Sequence, residues 1–454
     1  MSMRVIELND ASLRVIDAEG VIVSSPGFAL LDGKQLQLGE AAESQARLRP
    51  TQSYNKFWQQ LSLEPLSNTP PTVRHFADMA FAHLQQVAQA ADVSGDVILA
   101  VPGHFSHQQL AILLGLVRHS PFNAVGVVDA AVAAAAALAR DEAVIYADMQ
   151  LHQVLLTRLS QRDGVLQRDA VLQIPGVGSH NFMDLLMQLA TSLFIQQSRF
   201  NPQHNAESEQ QLYNELPRWL RQSHDVSSNL MMELTFGNSV YQAKLPGENL
   251  VRRLGDYYSR INDKIRTLAD NDACQLLVAQ NLAQYPGYLN SLGSTAVEVV
   301  APESLGRNCI LLHEHIGSPA GEFRFVTRLP LVRGNQGSPP QPATSAAAIG
   351  SVPTHVLVGH QALPLGRVEV SNGKTRNGSP LDGHVIQLEL TGLPDHLGHI
   401  ERQDGQVIMS CGNAGALVNG VKVSGRQTLQ LGDRIRFAPS GEELVMIGVQ
   451  NGQA

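Results

Sequence analysis

The sequence predicts an α/β body followed by an all-β sandwich, and three observations carry that expectation. Over residues 1–333, short apolar runs alternate with longer stretches of helical period. Residues 334–352, GNQGSPPQPATSAAAIGSV, carry no charge and no periodicity, which is linker composition. Residues 353–454 break into short alternating runs separated by Gly, Asn, Asp and Pro. Alternating strands and helices make sheets covered on their faces, whereas closely spaced short strands make a sandwich.

Residues 3–8, 13–17 and 20–24 read as an antiparallel meander. Pro71 suits the first turn of a helix over 71–91, which places Val73, Phe76, Ala80, Leu84 and Val87 on one stripe. DVILAVP (96–102) reads as a buried strand, and Ser106 caps a helix bearing Leu110, Leu113, Leu116 and Val117. VGVVDA (125–130) is a second buried strand that runs into an alanine-rich helix. VIYADMQLHQVLLTRL (144–159) forms strand, turn and strand, with Asp148 at a strand end and no glycine in the turn. A further hairpin strand at 165–173 is followed by helices near 180–200, 207–223 and 249–269. Strands are expected near 231–244, 274–278, 297–301 and 309–313. In the tail, Asn419-Gly420 between two apolar runs signals a tight hairpin.

Composition narrows the function. The 454 residues carry a net charge of -8 with no local Lys/Arg cluster, which argues against nucleic acid and anionic membranes as partners. The three cysteines are scattered, and with no C-x-x-C they suggest neither a disulfide framework nor a thiolate zinc site. The N-terminus lacks a basic-then-apolar signal pattern, and Asp129 breaks the most apolar run, Val125–Leu138. A cytoplasmic protein without a membrane span is therefore expected. His313-Glu314-His315 reads as H-x-H on a strand end; it lacks a local third ligand, so a surface or hydrogen-bonded pair is the simpler reading. GSHN (178–181) begins a helix and reads as an ordinary N-cap before an anion site. There is no P-loop, G-x-S-x-G or H-E-x-x-H.

The body resembles the nucleotide-binding domain of DnaK-type heat-shock chaperones, within the actin–hexokinase superfamily. Val101, Pro102, Phe105, Gln109 and the run from Asp129 carry the likeness, together with GVGSHNFMDLLM (176–187) and LLDGKQLQLGEAAESQ (30–45). The resemblance implies a two-lobed actin-like ATPase fold that binds ATP and magnesium through two glycine-rich hairpins and an adenosine loop. Here the hairpins are Glu7-Leu8-Asn9-Asp10-Ala11-Ser12 and Asp148-Met149-Gln150-Leu151-His152, and the adenosine loop is Val278–Ala283. All three have lost their glycines. On the adenine-side helix, Pro217-Arg218-Trp219-Leu220 replaces the family pattern. Glu7, Asp129 and Asp148 match family carboxylates that orient magnesium and water, so they are residual nucleotide or magnesium candidates; ordinary strand-end acids are the competing reading. Phosphate cradles need close backbone N–H groups, and without them no cofactor is expected to bind tightly.

The tail resembles a forkhead-associated domain, a sandwich that reads phosphothreonine peptides through its loops. THVLVGHQALPLGRVEVSNG (354–373) and residues 398–437, including Leu431-Gly432-Asp433, carry that likeness. The family's phosphate-reading arginine falls on Asn372; its Ser-x-x-His falls on Pro394–Leu397 and its Asn-Gly-Thr on Ala414-Gly415-Ala416. Arg367 and Asn413 lie nearby as substitutes. The expected function is a non-enzymatic scaffold or regulatory adaptor of a bacterial assembly or signalling complex: a pseudo-ATPase body joined to a module that docks a protein partner. The alternative is a diverged ATP switch or weak ATPase with a phosphothreonine-reading tail.

Overall fold

The computed structural model describes residues 3–332 apart from 34, 68, 141–142, 223–228, 271–273, 294–296 and 318–322. It also describes residues 353–447 apart from 359–360, 366, 373–383, 389–393, 404–405, 413–414, 419–420, 424, 431–432 and 439–443. The expected linker, 334–352, lies outside the described residues. The chain divides into two compact units, Met1–Gln336 and Gly337–Ala454.

The body begins with the meander β1 (Arg4–Glu7), β2 (Leu13–Ile16) and β3 (Val21–Ser25). A small sheet follows, β4 (Ala29–Asp32), β5 (Gln35–Leu38) and β6 (Ser53–Tyr54), with α1 (Glu40–Glu43) inside it. Next come α2 (Phe76–Ala90), β7 (Asp96–Val101), α3 (His107–Val117), β8 (Asn123–Asp129) and α4 (Ala130–Ala135). The second half opens with β9 (Ala143–Met149), β10 (Gln153–Arg162) and β11 (Val165–Pro175), followed by α5 (Ser179–Ser198) and α6 (Ala206–Gln222). A hairpin, β12 (Asn229–Phe236) and β13 (Ser239–Pro246), precedes α7 (Gly247–Ala269), β14 (Gln275–Ala279), α8 (Gln280–Ala283) and α9 (Tyr288–Ser291). The body closes with β15 (Val297–Val300), α10 (Pro302–Leu311), α11 (His313–Ile316), β16 (Phe325–Val326) and β17 (Arg328–Pro330).

These elements form a mixed α/β unit that uses one plan twice. The first large sheet has the order β16-β8-β7-β1-β2-β3, and the second β15-β14-β9-β10-β11-β17. In each, the opening strand is central, with an antiparallel meander on one side and two parallel strands on the other. The turns β1–β2 and β9–β10 are therefore equivalent places in the two halves. Each half has its own apolar core, and a third core joins them through α4, α10 and the inner faces of both sheets. Alanine makes that junction possible: Ala131 and Ala133–Ala136 are buried, and their small side chains let α4 lie close between the sheets. Asn308 of α10 donates to the Ala133 carbonyl at 2.8 Å, which satisfies a buried amide within the junction. Finally, residues 325–330 add a strand to each sheet, β16 beside β8 and β17 beside β11. The chain itself thus stitches the halves together.

A buried polar chain anchors α2. Trp58 Nε1 donates to His83 Nδ1 at 3.1 Å, so Nδ1 is the accepting nitrogen and Nε2 carries the hydrogen toward Ser25 Oγ at 2.8 Å. Burial pushes the His83 pKa down to about 3, which keeps this neutral tautomer.

Two expectations are corrected here. Residues 309–313 are helical, because Leu305, Cys309, Leu312 and Ile316 are buried at spacings of three and four. His313 and His315 accordingly lie on α11, with His313 Nδ1 3.0 Å from the Ile310 carbonyl. Helix α2 begins at Phe76 and not near Pro71, because Asp78 accepts the N–H groups of Arg74 (2.6 Å) and His75 (3.1 Å) and so sets the start.

The tail contains β18 (His355–Val358), β19 (Gln361–Pro364), β20 (Arg367–Asn372), β21 (His384–Leu388), β22 (His396–Gln403) and β23 (Gln406–Cys411). It continues with β24 (Ala416–Val418), β25 (Val421–Val423), β26 (Arg426–Leu429), β27 (Arg434–Arg436) and β28 (Leu444–Ile447). Sheets ordered β19-β18-β28-β27-β24-β25 and β21-β20-β22-β23-β26 share one apolar core that includes Val356, Val370, Ile400, Met409 and Ile435. Val418 pairs with Val421, as the sequence pattern around 419–420 requires, although those two residues lie outside the described ones. The pairing departs from a purely antiparallel sandwich at β20–β21, which is parallel. Among the described residues, no helix is long and apolar enough to cross a membrane.

Two helical glycines should respond oppositely to alanine. A Cβ on Gly306 would overlap the Ile16 side chain, whereas nothing lies within 4 Å of one on Gly115. Urea unfolding should find Gly306→Ala destabilised by about 1–3 kcal/mol and Gly115→Ala stabilised by about 0.5–1 kcal/mol.

Candidate functional site

Glu7 ends β1, Asp129 ends β8, and Asp148 lies one residue before the end of β9, so the topology brings all three acids toward the junction of the halves. Glu7 and Asp129 are buried, Asp148 is half-buried, and each is already engaged. Glu7 accepts from Arg14 Nη1 at 2.9 Å, the residue opposite it in register on β2. Burial pushes the Glu7 pKa up, and Arg14 only partly offsets this. Asp129 caps α4 by accepting from Ala131 and Val132 N–H at 3.0 and 3.2 Å. Its other oxygen takes Arg168 Nη1 from β11 at 2.6 Å, an ion pair that crosses between the halves. The Arg168 guanidinium also lies over the Phe325 ring, at 5.2 Å from its centroid, and so touches the stitching segment.

Asp148 receives three side-chain amides. Asn9 Nδ2 approaches its oxygens at 3.1 and 2.9 Å, Asn281 Nδ2 at 3.2 Å and Gln150 Nε2 at 3.3 Å. Burial, then the nearby Glu7 charge, pushes the Asp148 pKa up to about 7. Asn9 comes from the β1–β2 turn, so it spans the two equivalent turns; it also donates to the Met149 carbonyl at 3.1 Å.

Asp10 makes the most direct bridge. Its Oδ1 accepts the Leu151 N–H at 2.6 Å, carboxylate of one turn to backbone of the other. Burial pushes the Asp10 pKa up to about 6 even though backbone donors pull it down. Leu151 then fills the first half: it is buried in a cluster with Phe28, Leu30 and Ala42. The glycine-free turn is thus an interlocking piece that plugs one half into the other.

The N-terminus of α5 is closed by the same turn. Ser179 and His180 N–H donate to the Gln150 and Leu151 carbonyls at 3.0 and 2.9 Å, so two donors an anion would use are spent. Gly178 permits this approach, since a Cβ there would overlap the backbone of Leu151, His152 and Gln153. Above it, Arg47 pairs with Asp184 of α5, and its Cζ lies 5.0 Å from the Tyr213 ring centroid. Gln210 Oε1 accepts the Arg47 N–H at 2.7 Å, and Tyr213 donates to Glu43 at 2.9 Å.

Between Glu7, Arg14, Tyr146 and Asn281 remains a cavity of about 10 Å³, room for roughly one water. The expected magnesium set does not fit this arrangement: Glu7 Oε2 is committed to Arg14, the Asp129 oxygens to Arg168 and the first N–H groups of α4, and Asp148 to amides. Among the described residues no three His, Cys, Asp or Glu converge as a metal would need. The expected adenosine loop is the end of β14 and helix α8, whose Asn281 turns toward Asp148. Beside it, the end of α6 and residues 280–290 enclose a pocket of about 620 Å³.

In the tail, Arg367 opens β20 and Asn372 closes it, about 17 Å apart at roughly 3.3 Å per residue, so the two do not meet. Arg367 faces Glu401 in register, and the Asn372 N–H donates to the Asp395 carbonyl at 2.8 Å. Asn413 lies outside the described residues. The sequence reading missed Arg14, Arg168, Arg47 and Asn281, whose roles depend on partners between 7 and 137 positions away. The absence of glycine from both turns was the one local signal that pointed to the bridge. The chain matches no protein-family model, and no curated protein is significantly similar to it.

Asp10→Asn keeps the Oδ1 acceptor and removes a buried charge. A carboxyl raised in the folded state contributes its stability at low pH and loses it as pH climbs through the folded value. Between pH 5 and pH 8, the native protein should lose about 1 kcal/mol more unfolding free energy than Asp10→Asn, measured by urea titration. Gly178→Ala should cost about 3 kcal/mol or more in the same assay, because the overlap is with backbone.

Proposed function

We propose that the protein is a non-enzymatic scaffold or regulatory adaptor. Its body is a chaperone-like, actin-like ATPase fold that no longer hydrolyses ATP, and its tail is a forkhead-associated-like module that docks a protein partner. The observation that carries this is the bridge from Asp10 to Leu151, flanked by Asn9 on Asp148. In an ATPase of this class the phosphates join the two hairpins; here a carboxylate takes the N–H that a phosphate oxygen would take. The twice-used sheet plan supports the actin-like part of the reading. The two sheets of short strands among the described residues of the tail support the sandwich part.

Function then follows from fixity. Joined by several polar contacts, a buried leucine and a shared edge segment, the halves offer a constant surface instead of an opening cleft. The Gly/Pro/Ser/Ala composition of 334–352 suits a tether, which would raise the local concentration of whatever the tail holds. With Arg367 and Asn372 at opposite ends of one strand, a phospho-independent contact is the favoured mode of the tail.

Thermal melting of the full chain tests the body. A ligand at concentration L and affinity Kd stabilises by RT ln(1 + L/Kd), so a nucleotide protein moves visibly at millimolar ATP. The melting temperature with about 5 mM ATP and magnesium should equal that with magnesium alone, since about 100 Kd would already add roughly 2.7 kcal/mol. A magnesium-dependent rise that disappears in Asp148→Ala would establish the ATP switch instead.

A further inference from the structure

We propose that the solvent face of the tail sheet β19-β18-β28-β27-β24-β25 docks an acidic, extended segment of a protein partner that also carries aliphatic side chains. This rests on the docking role proposed for the tail, and adds to it the face used and the chemistry of the partner. Strand alternation defines the face. Ile435, Leu444, Met446, Ala416, Val418 and Val356 are buried in the sandwich core. Their neighbours stand on the opposite side: Arg434 and Arg436 are exposed on β27, Lys422 is exposed on β25, and Val445, Leu417 and Leu357 are half-buried. The registers place Leu357, Val445 and Arg434 in one cross-strand row, and Lys422, Leu417 and Arg436 in another. Among the described residues of these strands, the face carries three cations and no carboxylate.

The other sheet of the tail is arranged differently. On its solvent face Arg367 lies opposite Glu401 and Glu369 opposite His399, so acid and base face each other across strands. Such mixing is what solubility needs, and a lysine on an outer strand is what edge protection needs. Edge protection therefore accounts for Lys422 on β25, but Arg434 and Arg436 sit on β27, between β28 and β24, with no edge to guard. A single-signed face in a chain of net charge -8 is the complement of an acidic partner. Spacing refines that partner. The two arginine positions are about 7 Å apart along β27, the repeat of same-side residues in an extended peptide, and Lys422 lies about 10 Å across the sheet from Arg436. Val445 and Leu417 stand beside the arginines in register, which gives each incoming carboxylate an aliphatic neighbour. None of the six face residues is Phe, Tyr or Trp, so nucleic-acid bases have no ring to stack on.

Fluorescence polarisation with the full chain and a labelled, unphosphorylated peptide of alternating Glu and Val, about twelve residues long, tests this. The peptide should bind with a Kd below about 100 µM in about 50 mM salt, and about 5-fold more weakly in about 300 mM salt. Its Lys-Val counterpart should not bind. Arg434→Glu/Arg436→Glu should lose about 10-fold or more for the acidic peptide and gain affinity for the Lys-Val one, a reversal that unfolding cannot produce. Should that variant unfold, Lys422→Glu alone should still weaken the acidic peptide by about 3-fold. No binding of the acidic peptide, or equal binding by native chain and variants, overturns the docking face and leaves the scaffold reading, which ATP melting tests, standing. A DNA strand that binds more tightly than the peptide and is lost in the same variants overturns the protein partner in favour of nucleic acid. Tighter binding of a phosphothreonine peptide, unchanged in the variants, overturns the phospho-independent mode itself.

Discussion

The hydrogen bond from the Leu151 N–H to the Asp10 carboxylate is the contact on which the arrangement of the body turns. It sits where the two equivalent hairpin turns of a twice-used sheet plan meet head to head. Backbone N–H groups at such turns must be satisfied when buried. Water, an anion or a side chain can do it, and this chain supplies the side chain. Once Asp10 is in place, Leu151 is drawn into the Phe28 cluster, and the Gln150 and Leu151 carbonyls are presented to the first turn of α5. The bridge, the apolar plug and the capped helix are therefore consequences of one placement.

That placement costs charge burial. Asp10 and Asp148 both have raised pKa values, and Glu7 lies near enough to add to the second. The protein tolerates three acids in one junction because other contacts hold the halves together regardless. Buried charge-assisted hydrogen bonds contribute about 1.5–3 kcal/mol each, while the part-exposed Arg47–Asp184 pair contributes less. Parting the halves would break the Asp10 and Asp129 contacts together and expose Leu151.

Much of the fold was legible in the sequence, and for stated reasons. Long periodic segments such as Gly247–Ala269 and apolar runs such as Val97–Val101 within β7 announce themselves through their pattern. The region after Val300 did not, because four buried positions spaced by three and four fit within a run too mixed in polarity to read locally. The candidate site was half legible. The absence of glycine from residues 9–12 and 149–152 is visible in one dimension, and so is the acid at Asp10. The meeting of those turns is not: Asn9 and Asp148 are 139 positions apart, and only the repeated strand order brings them together.

The repeat also explains why the bridge needs a particular side chain in each turn. With a glycine in place of Leu151, the second turn would still offer its N–H, but nothing would fill the space among Phe28, Leu30 and Ala42. With a glycine in place of Asp10, the Leu151 N–H would be left buried without its acceptor, at about 1–3 kcal/mol. Each substitution alone leaves a cavity or an orphaned donor; together they satisfy one another. The turn Met149–His152, which without glycine looked unsuited to hold a ligand, is suited instead to hold the other half of the molecule.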